Sequence, residues 1–335
     1  MITDLQKLAK IIQRDASLSQ IVRSHVLGEV QFRDTSYPLL SFSVGSTNPY
    51  HPVLFLTGGF HGLERIGAQV AWSLLKTTVD RLLWDKSLCS LFENLRLIVV
   101  PLVNPVGYVN HFRSNGNGVD LMRNSPVDAT EKPPYLLGGH RISNKLPWYR
   151  GTEGTLEFEN KLIEKLFKDE VINSDCVVSM DFHSGFGMRD RLWFPHSYTS
   201  KPFDHLPEFH ALLSLLEQTH PYHIYHIEPQ SRAYLLSGDI WDHLYLLRQS
   251  QNMKTYIPLT LEMGSWNWVR KNPLQIFSRH GAFNPMKEHR VKRTYRRHHL
   301  LFDFLLKALY SNEVWATLDT SQRAKHSSSA LERWY

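Results

Sequence analysis

Two side chains in residues 54–65, LFLTGGFHGLER, have the types and spacing to share one cation: His61 and Glu64. A neutral imidazole nitrogen and a carboxylate oxygen are both ordinary zinc ligands. A catalytic zinc takes three protein ligands and keeps one position open. The apolar run 53–56 reads as a buried strand, Gly58-Gly59 as a turn, and residues 62 to about 76 as a helix. On that reading His61 and Glu64 stand at i and i+3 on one helix face, where their side chains converge. The remainder of the chain must then supply a third ligand and a base.

Three more apolar runs have strand length and β-branched content: 95–103, 177–182 and 256–261. Helical periods separate them, at 66–83, 153–167, 207–219, 238–248 and 287–310, with a further helix over 3–15. Alternating strands and helices predict an α/β fold: a mixed, largely parallel central sheet flanked by helices. His61, His183 and Glu262 each fall just past the end of a predicted buried strand. Groups at the carboxyl ends of neighbouring parallel strands face one pocket.

Around this core, residues 26–44 alternate apolar and polar about Arg33-Asp34-Thr35, the pattern of a β-hairpin. Residues 104–126, rich in Asn, Gly and Arg, read as a long functional loop, and 190–230 as largely irregular. With no repeat or low-complexity linker, a single catalytic domain over 1–320 is expected. It comprises a helix and hairpin (1–50), a core (51–265) and a helical part (266–320), followed by a polar, serine-rich and loosely held tail, 321–335.

Composition narrows the function classes. The N-terminus lacks the apolar core of a signal peptide, and no apolar run approaches the length of a membrane span. Cys89 and Cys176 lie far apart beside apolar runs and are expected to be reduced, which suits a cytoplasmic protein. Of the net charge of +6, five units fall in residues 286–299, which hold six Lys/Arg and one Glu. That stretch reads as a solvated helical face, so neither a nucleic-acid nor a membrane partner is expected. The histidines at 205, 210, 220, 223 and 226 are expected at the surface or satisfied, and Trp266 and Trp268 in the core.

The ordered set of motifs resembles the zinc carboxypeptidase family of metallopeptidases, particularly its compact bacterial members. Its H-x-x-E corresponds to His61-Gly62-Leu63-Glu64, and its later strand-ending His to His183 in Asp181-Phe182-His183-Ser184. Its final Glu corresponds to Glu262 in LTLEMG. Its N-P-x-G and R-x-N-x-x-G-V-D-L-N-R-N correspond to Asn104–Gly107 and to Arg113 through Asn124. The resemblance implies one zinc ion on His61, Glu64 and His183, with Glu262 as general base and Arg113 stabilising the oxyanion. It further implies Arg123 gripping a substrate carboxylate and Asp120 orienting His61. The family's mobile tyrosine is assigned to Tyr245, by likeness of residues 237–245 to its S-G-G…Tyr stretch, with Tyr234 close by in sequence. Met122 stands where the family has an Asn, which removes one hydrogen bond to a buried carboxylate, about 1–3 kcal/mol. Asn124, which follows Arg123, is expected to bind substrate in its place.

Taken singly, these residues have structural explanations: a first-turn Glu favoured by the helix dipole, an Asp closing a turn, arginines on a loop. Together they imply a zinc-dependent metallocarboxypeptidase that hydrolyses an amide bond beside a free carboxylate, on a small peptide or an N-acyl amino acid. The alternatives are an acyl-amino-acid amidohydrolase resembling the aspartoacylase and succinylglutamate desuccinylase branch, or an inactive binding protein of the same fold.

Overall fold

The computed structural model describes residues 1–251 and 254–335. Its centre is one eight-stranded sheet: β1 (Val22–Phe32), β2 (Thr35–Gly45), β3 (Val53–Gly58), β4 (Arg96–Val100), β5 (Val177–Ser184), β6 (Arg191–Phe194), β7 (His226–Pro229) and β8 (Tyr256–Met263). The order is β1-β2-β4-β3-β5-β8-β6-β7. The four central strands β4, β3, β5 and β8 are the continuous apolar runs, and they pair in parallel. The hairpin β1–β2 joins one side antiparallel through β4, and β6 joins the other antiparallel through β8.

Nearly every residue of the central strands is buried, as their unbroken apolar character requires. Helices Arg65–Leu82 and Glu288–Tyr310 pack on β3 and β5. Phe55 of β3 meets Phe167 and Trp241, from helices Phe158–Glu170 and Ile240–Gln251, at ring separations of 6.4 and 5.8 Å. Among the described residues no helix is long and apolar enough to cross a membrane. Cys89 and Cys176 are free thiols.

Three expectations are corrected. The helix after β3 starts at Arg65, so His61 and Glu64 lie in the turn before it, which a Glu64 N–H to His61 carbonyl bond of 3.1 Å closes. Residues 190–230 contain two strands, β6 and β7, each four residues long and too short to show a period. The tail is not loose. Helix Thr320–Trp334 starts from a capping box of Asp319 and Gln322 and lies along helix Leu206–Thr219. Trp334 anchors it, 4.8 Å from the Phe194 ring, with its indole N–H donating to the Ile227 carbonyl at 3.0 Å.

Candidate metal centre

The sheet register assembles the site. In the parallel pair β5–β8, His183 stands opposite Glu262 and Asp181 opposite Thr260, while Thr57 of β3 stands opposite Asp181. Residues two apart on a strand share a face, so Asp181 and His183 point the same way. Facing them across the crevice is the turn that follows β3. Gly62 has no alternative there: a Cβ would lie 1.9 Å from the carbonyl carbon of Gly107, where Asn104-Pro105-Val106-Gly107 begins its own short helix. This contact of backbone on backbone sets the loop that carries His61 and Glu64 against the loop that leads to Arg113.

The two imidazoles meet on one carboxylate. His61 Nδ1 is 2.8 Å from Glu64 Oε1, and His183 Nδ1 is 2.8 Å from Glu64 Oε2. The other ring nitrogens are held from behind: His61 Nε2 lies 2.9 Å from Asp120 Oδ1, and His183 Nε2 lies 2.6 Å from Asp181 Oδ2. A carboxylate behind each ring fixes a proton on Nε2 and leaves the Nδ1 lone pair for a cation. His61, Glu64 and His183 are buried, and their ligand atoms lie within 4.8 Å of one another. Two imidazole nitrogens and one carboxylate suit the donor set of zinc, and they fit a catalytic ion with an open position.

Arg113 bridges the groups, its Nη1 donating to Glu64 Oε1 at 3.1 Å and its Nε to Asp120 Oδ2 at 3.0 Å. Burial alone would push the Glu64 carboxyl up, but the two imidazoles hold it well below the usual carboxylate range. Asp120 is likewise held low, against its burial, by His61 and Arg113. For His183, burial favours the neutral ring; Asp181 and Glu64 outweigh it and raise the imidazole well above its ordinary value. Glu262 goes the other way. Burial, with Glu64 adding a like charge, pushes it up to about 8. Its Oε1 accepts the Phe186 N–H at 2.9 Å.

These side chains line one cavity of about 390 Å³, with His61, Glu64, Arg113, Arg123, His183 and Glu262 all on its wall. Arg123 is buried and donates to the Leu137 and Met122 carbonyls at 3.3 and 3.2 Å; its Nη2 has no hydrogen-bond partner among the described residues. Met122 lies beside it on the wall.

Two assigned residues are elsewhere. Tyr245 is buried in the core, its hydroxyl 2.9 Å from His205 Nδ1 and its ring against Phe203 and Tyr256. The reason is the phase of helix Ile240–Gln251, which turns Ile240, Trp241, Leu244, Tyr245 and Arg248 inward. Tyr234 is the tyrosine on the cavity wall, near Phe186 and Trp193. Asn124 does not replace the missing amide either. Its Nδ2 donates to the Arg150 and Thr155 carbonyls and its Oδ1 accepts the Glu157 N–H, so the side chain is spent on loop structure.

The wall also holds Gln230 and Asp239, which the motifs did not supply. Asp239 caps helix Ile240–Gln251 by accepting the Trp241 N–H at 2.7 Å, and burial beside Asp242 pushes it up to about 7. Gln230 is buried, and its Nε2 has no partner among the described residues.

The zinc carboxypeptidase family model matches residues 10–269. Bovine thrombin-activatable fibrinolysis inhibitor, solved in complex with tick carboxypeptidase inhibitor, superposes with a TM-score of 0.67 at 17% identity, covering 93% of this chain and 97% of that one. Carboxypeptidase A from Helicoverpa armigera gives 0.66 at 15% identity, covering 92% and 71%. At such identities the superpositions establish the fold, and the family match covers most of the chain. The protein belongs to the zinc carboxypeptidase family and is a zinc metallopeptidase.

Proposed function

We propose that the chain removes residues from the C-terminus of peptides, using one zinc ion held by His61, Glu64 and His183. The observation that carries this reading is the meeting of the two Nδ1 atoms on Glu64, with Glu262 on the wall of the same cavity. Zinc in that position supplies Lewis acidity to the scissile carbonyl and lowers the pKa of a water. Glu262 takes the proton from the attacking water as oxygen bonds to the carbonyl carbon. It passes that proton to the leaving nitrogen as the C–N bond breaks. The charge of a nearby divalent cation favours the carboxylate form that this step needs.

Arg113 lines the cavity, and its Nη2 has no hydrogen-bond partner among the described residues. Its role is to donate to the developing oxyanion, with an effect of about 3 kcal/mol for one donor. Arg123 holds the terminal carboxylate, with its carbonyl-tethered guanidinium presenting the remaining N–H groups. Met122 adds no donor, so Arg123 carries that task without an amide beside it. Tyr234, near enough to influence Arg113 electrostatically, lines the same cavity and is placed to contact substrate.

The test is a substrate panel. Zinc-loaded protein is expected to cleave peptides with a free C-terminus and to leave N-acetyl and N-succinyl amino acids intact. Glu262→Gln, which keeps an oxygen for the Phe186 N–H, should lose roughly 10²–10⁴-fold in turnover with zinc content unchanged. Hydrolysis of acyl amino acids but not peptides would replace this reading with the amidohydrolase one. Equal rates for the two proteins would remove Glu262 as base.

A further inference from the structure

Between β8 and helix Glu288–Tyr310 the chain makes a turn that is folded inside out. In the 3-10 turn Pro273–Phe277 the buried residue is the polar one, Gln275, whose Nε2 donates to the Gly281 carbonyl at 2.6 Å and the Asn284 carbonyl at 3.1 Å. Its apolar neighbours point to solvent: Leu274 is 77% exposed, Ile276 55% and Phe277 86%. Looseness does not explain the exposure. A Cβ on Gly281 would fall 1.8 Å from the Gln275 carbonyl oxygen, so the turn closes on itself tightly. Asn284 then straps the segment to the ligand loop, donating to the Leu63 carbonyl at 2.8 Å and accepting the Ile66 N–H at 2.9 Å.

The same stretch of chain carries a concentrated excess of positive charge. Residues 265–299 contain nine Lys/Arg and one Glu, a net +8 against +6 for the whole chain, so the other 300 residues carry a net −2. Arg290 joins the basic helix to the segment before the turn, donating to the Trp268 and Lys271 carbonyls. Arg270, Lys271, Arg279 and Lys287 are all exposed around the apolar turn. Trp266, expected in the core, is 51% exposed, with its ring 5.9 Å from Phe186 on the cavity wall. The patch therefore runs up to the mouth of the cavity.

We propose that this face docks on an anionic phospholipid surface and holds the cavity mouth at the interface. Apolar side chains projecting from a rigid turn enter the headgroup boundary, and a ring of Lys and Arg neutralises the lipid charge. Charge complementarity selects this occupant. A second copy of the chain would bring one net +8 stretch against another. A nucleic acid or an acidic peptide would match the charge but leave the Leu274, Ile276 and Phe277 side chains in water. No membrane-crossing element is involved, since docking of this kind is peripheral.

The experiment is co-sedimentation of the full-length, zinc-loaded protein with vesicles of phosphatidylcholine alone or mixed with phosphatidylglycerol. The expected result is binding to the mixed vesicles only, weakening as salt rises. The triple variant Leu274→Ser, Ile276→Ser, Phe277→Ser should reduce it by at least about tenfold while hydrolysis of a small soluble peptide is unchanged. Absence of binding to anionic vesicles at low salt, or equal binding by the triple variant, overturns the proposal. So does a concentration-dependent dimer that the triple variant abolishes, which would assign the face to a second copy. Tighter retention on polyglutamate or single-stranded RNA than on vesicles would assign the charge to an acidic polymer and overturn it equally.

Discussion

Asp181→Asn separates the electrostatic part of the proposed metal centre from its shape. Asp181 Oδ2 faces His183 Nε2 at 2.6 Å and accepts the Trp241 indole N–H at 3.2 Å, while Oδ1 accepts the Thr57 hydroxyl at 2.9 Å. An asparagine can place its oxygen toward His183 and Trp241 and its amide toward the Thr57 oxygen. Every contact then survives and only the charge is lost. Alanine would instead strand three buried polar groups and confuse binding with folding. Loss of a carboxylate behind a ligating imidazole costs roughly 10–100-fold in metal affinity, about 1.4–2.8 kcal/mol.

Competition with a chromophoric zinc chelator measures this, with circular dichroism of the metal-free variant as the control for folding. The pH dependence provides a second check. Asp181 is the main cause of the raised His183 value, so in metal-free wild type zinc must displace a proton that the variant holds less tightly. The proton therefore penalises wild type more at low pH. The variant's deficit should be smallest there and should grow as pH rises, reaching its full size once wild-type His183 is deprotonated. Affinity within about twofold of wild type at every pH would refute the reasoning, and so would a deficit that shrinks as pH rises.

Gly62→Ala should lower stability by about 1–3 kcal/mol or more in urea denaturation and weaken zinc retention, because its Cβ meets Gly107 backbone that no rotamer change can move. Arg123→Lys should raise KM for peptides with a free C-terminus by roughly tenfold, since an ammonium cannot reproduce the tethered planar fork, while zinc content stays level. Trp334→Ala should cost about 3–5 kcal/mol and release helix Thr320–Trp334 to proteolysis, without changing the metal content of the folded fraction.

How much of this the sequence disclosed followed from how each element buries its residues. β3, β4, β5 and β8 are covered on both faces, so their apolar runs are unbroken and visible. β6 and β7 lie toward one edge and span only four residues each, too few for a period to show. The last helix was misread because Ser327-Ser328-Ser329 looks like a linker, although Asp319 and Gln322 spell a capping box and Ala330 and Trp334, four apart, form a buried stripe. Tyr245 shows a similar error in the site: counting residues along a motif ignored the phase of the helix, which its apolar stripe already set. Gln230 and Asp239 reach the cavity through tertiary contacts alone, and no local pattern announces them.

The charges buried in the cavity offer the deepest argument for a divalent cation. Arg113 lies between Asp120 and Glu64, and Arg123 is the cation felt by Asp239. Among the described residues Asp181 and Glu262 accept no hydrogen bond from an arginine, Glu262 feels Arg113 only through its charge, and Glu64 must share Arg113 with Asp120. Without a metal the shortfall is drawn from protons: His183 holds its proton well above the ordinary imidazole range, and Glu262 is pushed up to about 8. A burial this acidic costs folding free energy unless a compensating charge arrives. A doubly charged ion at the Nδ1 atoms would replace those protons at one point, letting His183 become neutral and Glu262 ionise together. The same ion that completes the ligand set would thereby create the base that the reaction requires. Zinc binding should accordingly release more than one proton near neutral pH, and calorimetry in buffers of different ionisation enthalpy counts them. A release of none would mean that the carboxylates balance one another in some other way and that the ion is not the charge they were placed to receive.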